Sequence, residues 1–389
     1  MNTRKLAVLL FILMIFGAVA EQLFAIPAFA RKYKFSCSTC HAPFPRLKPF
    51  GEEFAGRGFR MEDPSQEPAR ATYDVGDPML TLLREVPLAI RMDGYLSYKE
   101  NAHAESDTEF PWAFKILSGG PVSPRISYYF YYILEKGETG KLEDAYLQFN
   151  TLLGLPVNLM AGQFQVSDPL FKRELRLERS DYLIYKSHVG YSQVDLTYDR
   201  GLMFLWTLPG EIDSVFQVVN GSGIEEAEDD NFDTDSEKNM GLRFSKGWGP
   251  IRLGVYGYRG VEESPDGYEN TTTYIGPDLT VDAGDNLQIN VQYLKRTDDD
   301  PFFQGYEGDD YETKGGFVEV LFFPGGPDGK VAVAGLYNNI ESDDLNAERE
   351  SVSLTLNYLL ARNGKVLLEV ARDLDLESSR FSLGFVTAF

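Results

Sequence analysis

The residues best suited to chemistry lie in one short motif near the start of the chain. Cys37 and Cys40 are the two cysteines of the sequence, and His41 follows directly. This is the attachment pattern of c-type haem, because two thiols on one helical turn can each form a thioether with a haem vinyl group while the adjacent imidazole binds the iron. A dithiol redox pair would need a βαβ context, and a zinc site would need further ligands. We therefore expect one covalent haem c.

The second axial ligand of the iron would set the redox potential. Met61 is the first choice, because after His41 the chain passes a predicted helix and two glycines and can fold back over the opposite haem face. Thioether ligation raises the potential of a haem. His188 is the second choice, since it belongs to a long linker that we expect inside the lumen. Met79 and Met92 are weaker candidates, and an open, five-coordinate iron is a further alternative.

The first thirty residues have the features of a secretory signal peptide. Arg4 and Lys5 precede the apolar run Leu6 to Phe16, and small-residue cleavage patterns end at Ala20 and Ala30. We favour cleavage after Ala30. A retained membrane anchor is the alternative, but the apolar run is shorter than the ~20 residues that a membrane-spanning helix needs. The mature chain is therefore expected to be exported.

Residues 31–62 form the expected haem segment. A helix near Pro49 would place Phe50 and Phe54 one turn apart, where both rings can lie on the macrocycle. A segment of this length is below the ~40 residues at which a chain can bury a core unaided, so another part of the chain must cover the haem. Four basic side chains could neutralise the haem propionates or simply be exposed: Arg46, Lys48, Arg57 and Arg60.

Composition limits the class of protein. The chain of 389 residues is 43% hydrophobic and 25% charged, which excludes a disordered chain and a helical membrane protein. Its 59 acidic and 37 basic residues give a net charge of −22, which argues against nucleic-acid binding and a basic membrane-surface role. The aromatic content of 13% suits a barrel with aromatic girdles.

From residue 86 onward, segments of alternating hydrophobicity recur between turn residues, and this pattern is typical of outer-membrane barrels. The segments are Ala89–Tyr98, Pro111–Leu117, Arg125–Ile133, Asp144–Phe149, Val157–Gln163, Leu202–Thr207, Val215–Asn220, Met240–Phe244, Ile251–Tyr258, Thr272–Leu279, Leu287–Tyr293, Gly316–Phe323, Val331–Tyr337, Val352–Tyr358, Val366–Val370 and Phe381–Phe389. They predict an all-β fold: a transmembrane up-and-down antiparallel β-barrel of about 16 strands over residues 86–389. The short α-helical haem segment would precede the barrel, with residues 63–85 as a linker. A water-soluble β-sandwich array is the alternative.

The linkers between the predicted strands alternate in length through the second half of the chain. Short linkers at 246–249, 282–285, 324–329 and 361–364 alternate with long ones at 222–237, 261–270, 297–311 and 341–350. An up-and-down barrel with periplasmic turns and extracellular loops produces this order. The final strand ends at Phe389, with Phe381, Leu383 and Phe385 on the same face, and resembles the recognition signal of outer-membrane barrels. We therefore expect the outer membrane, with both chain ends in the periplasm.

Two kinds of long linker are distinguishable by charge. The four long linkers of the second half are acidic, which would attract cations to the cell surface or would simply keep exposed loops soluble. The linker from Gln165 to Gly190 instead mixes basic with apolar residues. That mixture suits a loop folded into the lumen.

Taken together, the haem motif and the barrel pattern resemble the fused monohaem cytochrome–porins of the bacterial outer membrane, a family that includes iron oxidases. The resemblance covers the mature chain from Cys37 to Phe389, and the barrel half is also similar to phosphate-selective porins. Membership would imply that the haem segment plugs the barrel and passes electrons between periplasmic c-type cytochromes and extracellular metal ions, such as iron, or another redox partner. Outer-membrane lipid would surround the barrel, and no nucleic acid is expected.

Three functions are compatible with these features. The first is electron transfer across the outer membrane through one haem c. The second is a solute porin, similar to the phosphate-selective porins, with an accessory redox-sensing haem segment. The third is an outer-membrane enzyme that oxidises an external donor such as ferrous iron directly at the haem.

Overall fold

The computed structural model describes residues 28–68, 72–80, 82–84, 86–227, 230–233, 235–305 and 310–389. The predicted signal peptide therefore lies outside the described residues as far as residue 27. Its predicted cleavage point after Ala30 falls within helix α1 (Ala28–Tyr33), where Phe29 stacks on Phe59 with ring centroids 4.6 Å apart. Among the described residues, no helix is both long and apolar enough to cross a membrane.

Sixteen antiparallel strands close into one barrel, in which the last strand pairs with the first. This confirms the predicted architecture. The barrel strands are β3 (Leu88–Lys99), β4 (Ser106–Pro121), β5 (Ile126–Glu135), β6 (Lys141–Phe149), β7 (Val157–Gln165), β8 (Tyr198–Leu208), β9 (Ile212–Val219), β10 (Asn239–Trp248), β11 (Ile251–Glu263), β12 (Glu269–Ala283), β13 (Leu287–Asp298), β14 (Tyr311–Phe322), β15 (Val331–Ser342), β16 (Arg349–Ala361), β17 (Gly364–Asp373) and β18 (Ser378–Ala388). The described part of the predicted linker contains a 3₁₀ helix at Pro64–Gln66 and a short strand pair, β1 (Thr72–Tyr73) with β2 (Leu82–Leu83).

The barrel is polar inside and apolar outside. In β16, Thr355 and Asn357 are fully buried, whereas their neighbours Leu354 and Leu356 are exposed. A water-soluble sandwich would show the opposite distribution, so this pattern identifies a lipid-facing outer surface. In β18, Phe381 pairs with Val370 on that outer face, as the period-two alternation predicted.

Several strands extend further than predicted. The expected long linker 261–270 is wrong: β11 and β12 continue through it and leave only residues 264–268 as a turn. Its polar side chains look like a loop in the sequence, but Glu262 and Asn270 face the lumen. Asn270 and Thr272 are fully buried, and Thr272 donates a hydrogen bond to Asp298 at 2.6 Å. An interior that accepts polar side chains hides the strand from a hydrophobicity pattern.

The linker between β7 and β8 folds into the lumen, as predicted, and we call residues 166–197 the inserted loop. Ile184 and Tyr185 within it are fully buried. Arg296 of β13 holds the loop by donating to the carbonyl oxygens of Ser187 (2.9 Å) and Val194 (2.7 Å). The barrel wall and the inserted loop therefore enclose one packed interior.

Residues 28–68, which we call the N-terminal segment, occupy the barrel end that carries the short turns. Lys48 reaches Asp328 in the turn between β14 and β15, with a nitrogen–oxygen distance of 2.7 Å. Gln148 of the barrel wall donates to the Gly56 carbonyl oxygen at 2.7 Å. Because β3 begins and β18 ends at this same end, it is the end that the linker order assigns to the periplasm.

Candidate functional site

The two cysteines lie on one turn of helix, as the motif predicted. Helix α2 spans Cys37–Cys40, and the Ser36 hydroxyl caps it by accepting a hydrogen bond from the Ser38 amide. A serine at this position satisfies an amide that has no partner within the helix. His41 ends the helix by donating its amide hydrogen to the Cys37 carbonyl oxygen at 2.9 Å. Both thiols are half-buried, and the His41 ring follows them directly.

Hydrogen bonds fix the orientation and the tautomer of the His41 ring. Its Nδ1 lies 3.0 Å from the Pro45 carbonyl oxygen and 3.3 Å from that of Arg46. Because carbonyl oxygens only accept, Nδ1 carries the proton and Nε2 keeps its lone pair. Burial lowers the pKa of the imidazole, so the neutral ring prevails at neutral pH. Histidine ligands of metals characteristically donate their other ring nitrogen in this way.

The thiols do not resemble a thiolate pair. Burial raises the pKa of Cys37, and it raises that of Cys40 to about 11, whereas reactive cysteines have lowered pKa values. Within the described residues, no group of three or more His, Cys, Asp or Glu side chains could hold a metal ion. The donor set of two adjacent thiols and one imidazole therefore fits a c-type haem better than the zinc or dithiol alternatives.

An aromatic cluster accompanies the motif. Helix α3 (Pro49–Gly56) begins at the predicted proline, and Phe50 and Phe54 lie nearly parallel on one of its faces, 6.1 Å apart. Helix α3 packs closely on α2 at Gly51, where an added Cβ would lie only 2.4 Å from the Cys40 carbonyl oxygen. The predicted pair of rings is therefore present beside the attachment motif.

The four basic residues considered for the propionates have protein partners in this structure. Arg46 reaches Gln288 and Glu319 in the lumen, and Lys48 pairs with Asp328. Arg57 pairs with two glutamates of its own segment, whereas Arg60 donates to a turn carbonyl of the barrel. Three of the four thus fasten the N-terminal segment to the barrel.

The two main candidates for the distal ligand lie in different parts of the molecule. Met61 is in the N-terminal segment, where its amide donates to Glu67 at 3.0 Å. His188 lies in the inserted loop with its Nε2 3.4 Å from Asp195. Met79 is 95% exposed. Met61 thus shares a segment with the attachment motif, and the choice of ligand stays a prediction.

A charged cavity of about 880 Å³ separates the inserted loop from one side of the barrel wall, and we call it the vestibule. It is lined by the wall from β3 to β6, by β16 to β18 and by loops at the long-loop end. Arg91 and Asp93 line its inner part and form a two-point ion pair at 2.7 Å. The Arg91 guanidinium also lies 5.5 Å from the ring centre of Phe44 in the N-terminal segment. The vestibule therefore extends from the loop end towards that segment.

Positive charge is concentrated at one point of the vestibule. The Asp181 carboxylate accepts from Arg173 at 2.6 Å, from Arg176 and from Lys186. Three cations thus share one carboxylate, although the chain as a whole is strongly acidic. The composition of the linker predicted its place in the lumen, but the carboxylate that these cations share could not be identified from the sequence.

Glu319 of β14 joins three parts of the molecule and was missed by the sequence analysis. It is fully buried in the lumen and accepts hydrogen bonds from Tyr182 of the inserted loop at 2.6 Å and from Asn290 of the wall at 2.5 Å. Arg46 of the N-terminal segment lies 3.9 Å away. An acidic residue at an inward-facing strand position was the only signal available.

Several outer-membrane proteins of known structure have a similar fold. The outer membrane channel DcaP of Acinetobacter baumannii matches with a TM-score of 0.56 and 14% identity, over 78% of this chain and 97% of its own. An anion-selective porin from Comamonas acidovorans gives 0.54 and 11%, over 78% and 99%. Salmonella typhi OmpF in complex with daunomycin gives 0.55 and 10%, over 78% and 97%.

These likenesses concern the fold, since all three identities are low. No family model matches the chain, and no curated protein matches it. The closed barrel of sixteen strands, its apolar outer surface and its porin neighbours agree with one another. The chain is a porin-like β-barrel of the bacterial outer membrane.

Proposed function

We propose that this protein is a porin-type channel for small hydrophilic solutes, with its periplasmic mouth occupied by its own N-terminal segment. The observation that carries the proposal is the vestibule, a charged cavity of about 880 Å³ that reaches from the loop end into the lumen. A polar lumen narrowed by an inserted loop suits the passage of hydrated solutes. The porin neighbours favour this function over an electron conduit.

The channel is proposed to prefer anions. Around Asp181, three cations face one carboxylate, which leaves a local excess of positive charge inside a low-dielectric wall. Such a site raises the local concentration of ions of opposite sign. Reconstitution of the full chain in a planar bilayer tests the function directly: a salt gradient across the membrane should give a reversal potential of the sign expected for anions. Absence of any current under all voltages would contradict a channel.

Lys186→Gln is expected to reduce the anion preference. The Lys186 side chain is 43% exposed, so its loss removes a screened charge without leaving a buried group unpaired. The permeability ratio should fall by a factor of about two, as expected for an exposed charge worth a few tenths of a kcal/mol. Lys314→Gln is the matched control, because that lysine is 44% exposed and pairs with Glu312 of β14 and Glu341 of β15. Equal shifts in both variants would contradict the assignment.

A second candidate function, electron exchange across the outer membrane, is favoured by the geometry around His41. Its Nδ1 is bonded to carbonyl oxygens and its Nε2 is available, while Cys37 and Cys40 lie beside it on one helical turn. We propose that these three residues hold one haem c, which would supply a one-electron redox centre. Periplasmic c-type cytochromes and extracellular metal ions such as iron are the proposed partners, as the resemblance to the cytochrome–porins implies.

Cys40→Ala is expected to weaken covalent haem attachment, because one of two thioethers would be lost. Haem staining after denaturing electrophoresis and the visible spectrum of the purified protein measure this. Thr39→Ala, on the same helical turn, is the control and should retain the stain. An unchanged spectrum and unchanged staining in Cys40→Ala would contradict attachment at this motif. A colourless wild-type protein would remove the electron-transfer function and leave the channel.

A further inference from the structure

A line of aromatic side chains leads from His41 into the barrel. The His41 and Phe44 ring centres are 5.3 Å apart in an edge-on arrangement. Phe44 packs against an apolar cluster of the wall that contains Tyr95. The Tyr95 and Trp112 ring centres are 5.9 Å apart, again edge-on. Phe44 and Trp112 thus pack on the same apolar cluster, which consists of Tyr95, Leu367 and Val386.

The outer end of this line lies at the vestibule wall. Trp112 lines the vestibule, and the amide of Lys136, in the loop between β5 and β6, donates to the Trp112 carbonyl oxygen at 2.8 Å. The Lys136 ammonium lies 5.2 Å from the Trp112 ring centre. Trp112 is therefore at the level of an outer loop, whereas Phe44 belongs to the segment at the opposite mouth.

Arg179 of the inserted loop fixes the two outer rings. Its guanidinium lies 4.3 Å from the ring centre of Tyr95 and 4.6 Å from that of Trp112. Glu109 and Ser382 in turn hold this guanidinium. A cation over a ring face is attracted by its π-electrons, so the rings have one orientation. The same positive charge makes removal of an electron from either ring harder. An electron would therefore cross the rings without forming ring radicals.

We propose that Phe44, Tyr95 and Trp112 form the electronic path between a reagent in the vestibule and a haem held at His41. This inference rests on the electron-transfer function proposed above. A hydrated ferrous ion beside Trp112 at the outer end of the vestibule, where Glu100 and Glu135 also line the cavity, would lose one electron and ferric haem iron would gain it, with no bond formed or broken. The hydrocarbon layer is ~30 Å thick, so a reagent at the outer end of the vestibule would not touch a haem at the periplasmic mouth, and the aromatic side chains would bridge part of that distance.

Stopped-flow reduction of the haem by ferrous ion in the full-length protein tests the path. Trp112→Leu should slow the reduction by more than an order of magnitude, whereas Trp112→Phe, which keeps a ring, should retain most of the rate. Haem content and midpoint potential should be unchanged in both. Trp206→Leu, a replacement on β8 away from the line, should react like the wild type. Equal rates for Trp112→Leu and wild type would overturn the path while leaving the haem assignment intact.

A distance measurement provides a readout that does not depend on electron transfer. A nitroxide label on Trp112→Cys should relax faster when the haem iron is ferric, because a paramagnetic iron nearby shortens its relaxation. The comparison label is placed on Leu345→Cys, in the exposed loop between β15 and β16. An effect at position 112 no larger than at position 345 would overturn the proposed geometry. A wild-type protein without haem would overturn both the path and the function on which it rests.

Discussion

Replacing Arg296 with methionine is expected to free the inserted loop from the barrel wall. The Arg296 side chain is fully buried and donates six hydrogen bonds, three of them to loop residues Ser187, Ser192 and Val194. Methionine fills a similar volume but leaves these acceptors and the buried Asp298 carboxylate without their cation. Breaking one side of a buried ion pair costs about 3–5 kcal/mol.

Limited digestion of the folded protein by trypsin measures this release. The inserted loop contains several lysines and arginines, so a detached loop should be cleaved rapidly, whereas the wild-type loop should resist. Arg243→Met is the matched control. Arg243 is also a buried lumen arginine, but its hydrogen bonds go to Asp278 and Ser245 of the wall. The Arg243→Met variant should lower the thermal unfolding temperature without exposing the loop. A protease-resistant loop in Arg296→Met would show that other contacts hold it.

Glu319→Gln is expected to open the periplasmic mouth. The carboxylate faces Arg46 of the N-terminal segment and accepts from Tyr182 of the inserted loop. An amide of the same shape keeps some hydrogen bonds but removes the negative charge, so a mostly buried Arg46 guanidinium loses its only acidic partner within 4.0 Å among the described residues. The cost of about 3 kcal/mol, at the lower end for buried pairs, should favour conformations in which the segment leaves the lumen. Single-channel conductance in a planar bilayer should rise accordingly.

Asp328→Asn separates this effect from a general weakening of the segment. This variant also removes an acidic partner of the N-terminal segment, because Asp328 pairs with Lys48. However, Asp328 is 62% exposed and lies on a turn at the rim. Exposed ion pairs contribute about 0–1 kcal/mol, so conductance should stay close to that of the wild type. If both variants conducted like the wild type, Glu319 would not hold the segment in place.

The two candidate functions make different demands on the N-terminal segment. A solute channel requires the segment to leave the mouth or to leave a passage beside it. An electron conduit requires the segment to stay, because His41 contacts the aromatic line through Phe44. The Glu319→Gln variant therefore separates the two functions. A larger current together with slower haem reduction would indicate that the segment supports electron transfer when it occupies the mouth and solute passage when it has left it.

The sequence by itself determined the elements of this molecule. The number of strands, the lipid-facing aromatic residues of the last strand and the helical turn that carries Cys37 and Cys40 all follow from local patterns. In a strand every second side chain lies on the same face, and the Cys-x-x-Cys-His turn is specified by five consecutive residues. The entry of the inserted loop into the lumen was also predictable, because it mixes basic with apolar residues, a composition that suits a loop folded into a polar lumen.

Only the tertiary structure decided which inward-facing polar residues meet. Arg296, Glu319 and Asp181 look in the sequence like any polar residue of a loop or an inner strand face. The partners Tyr182 and Glu319 are 137 positions apart, and they meet because strand register and the path of the inserted loop place them in one interior. The line from Phe44 to Trp112 arises in the same way, from three separate segments. Hydrophobic periodicity reports the environment of each residue but not its partner, and in a polar lumen the partners determine the function.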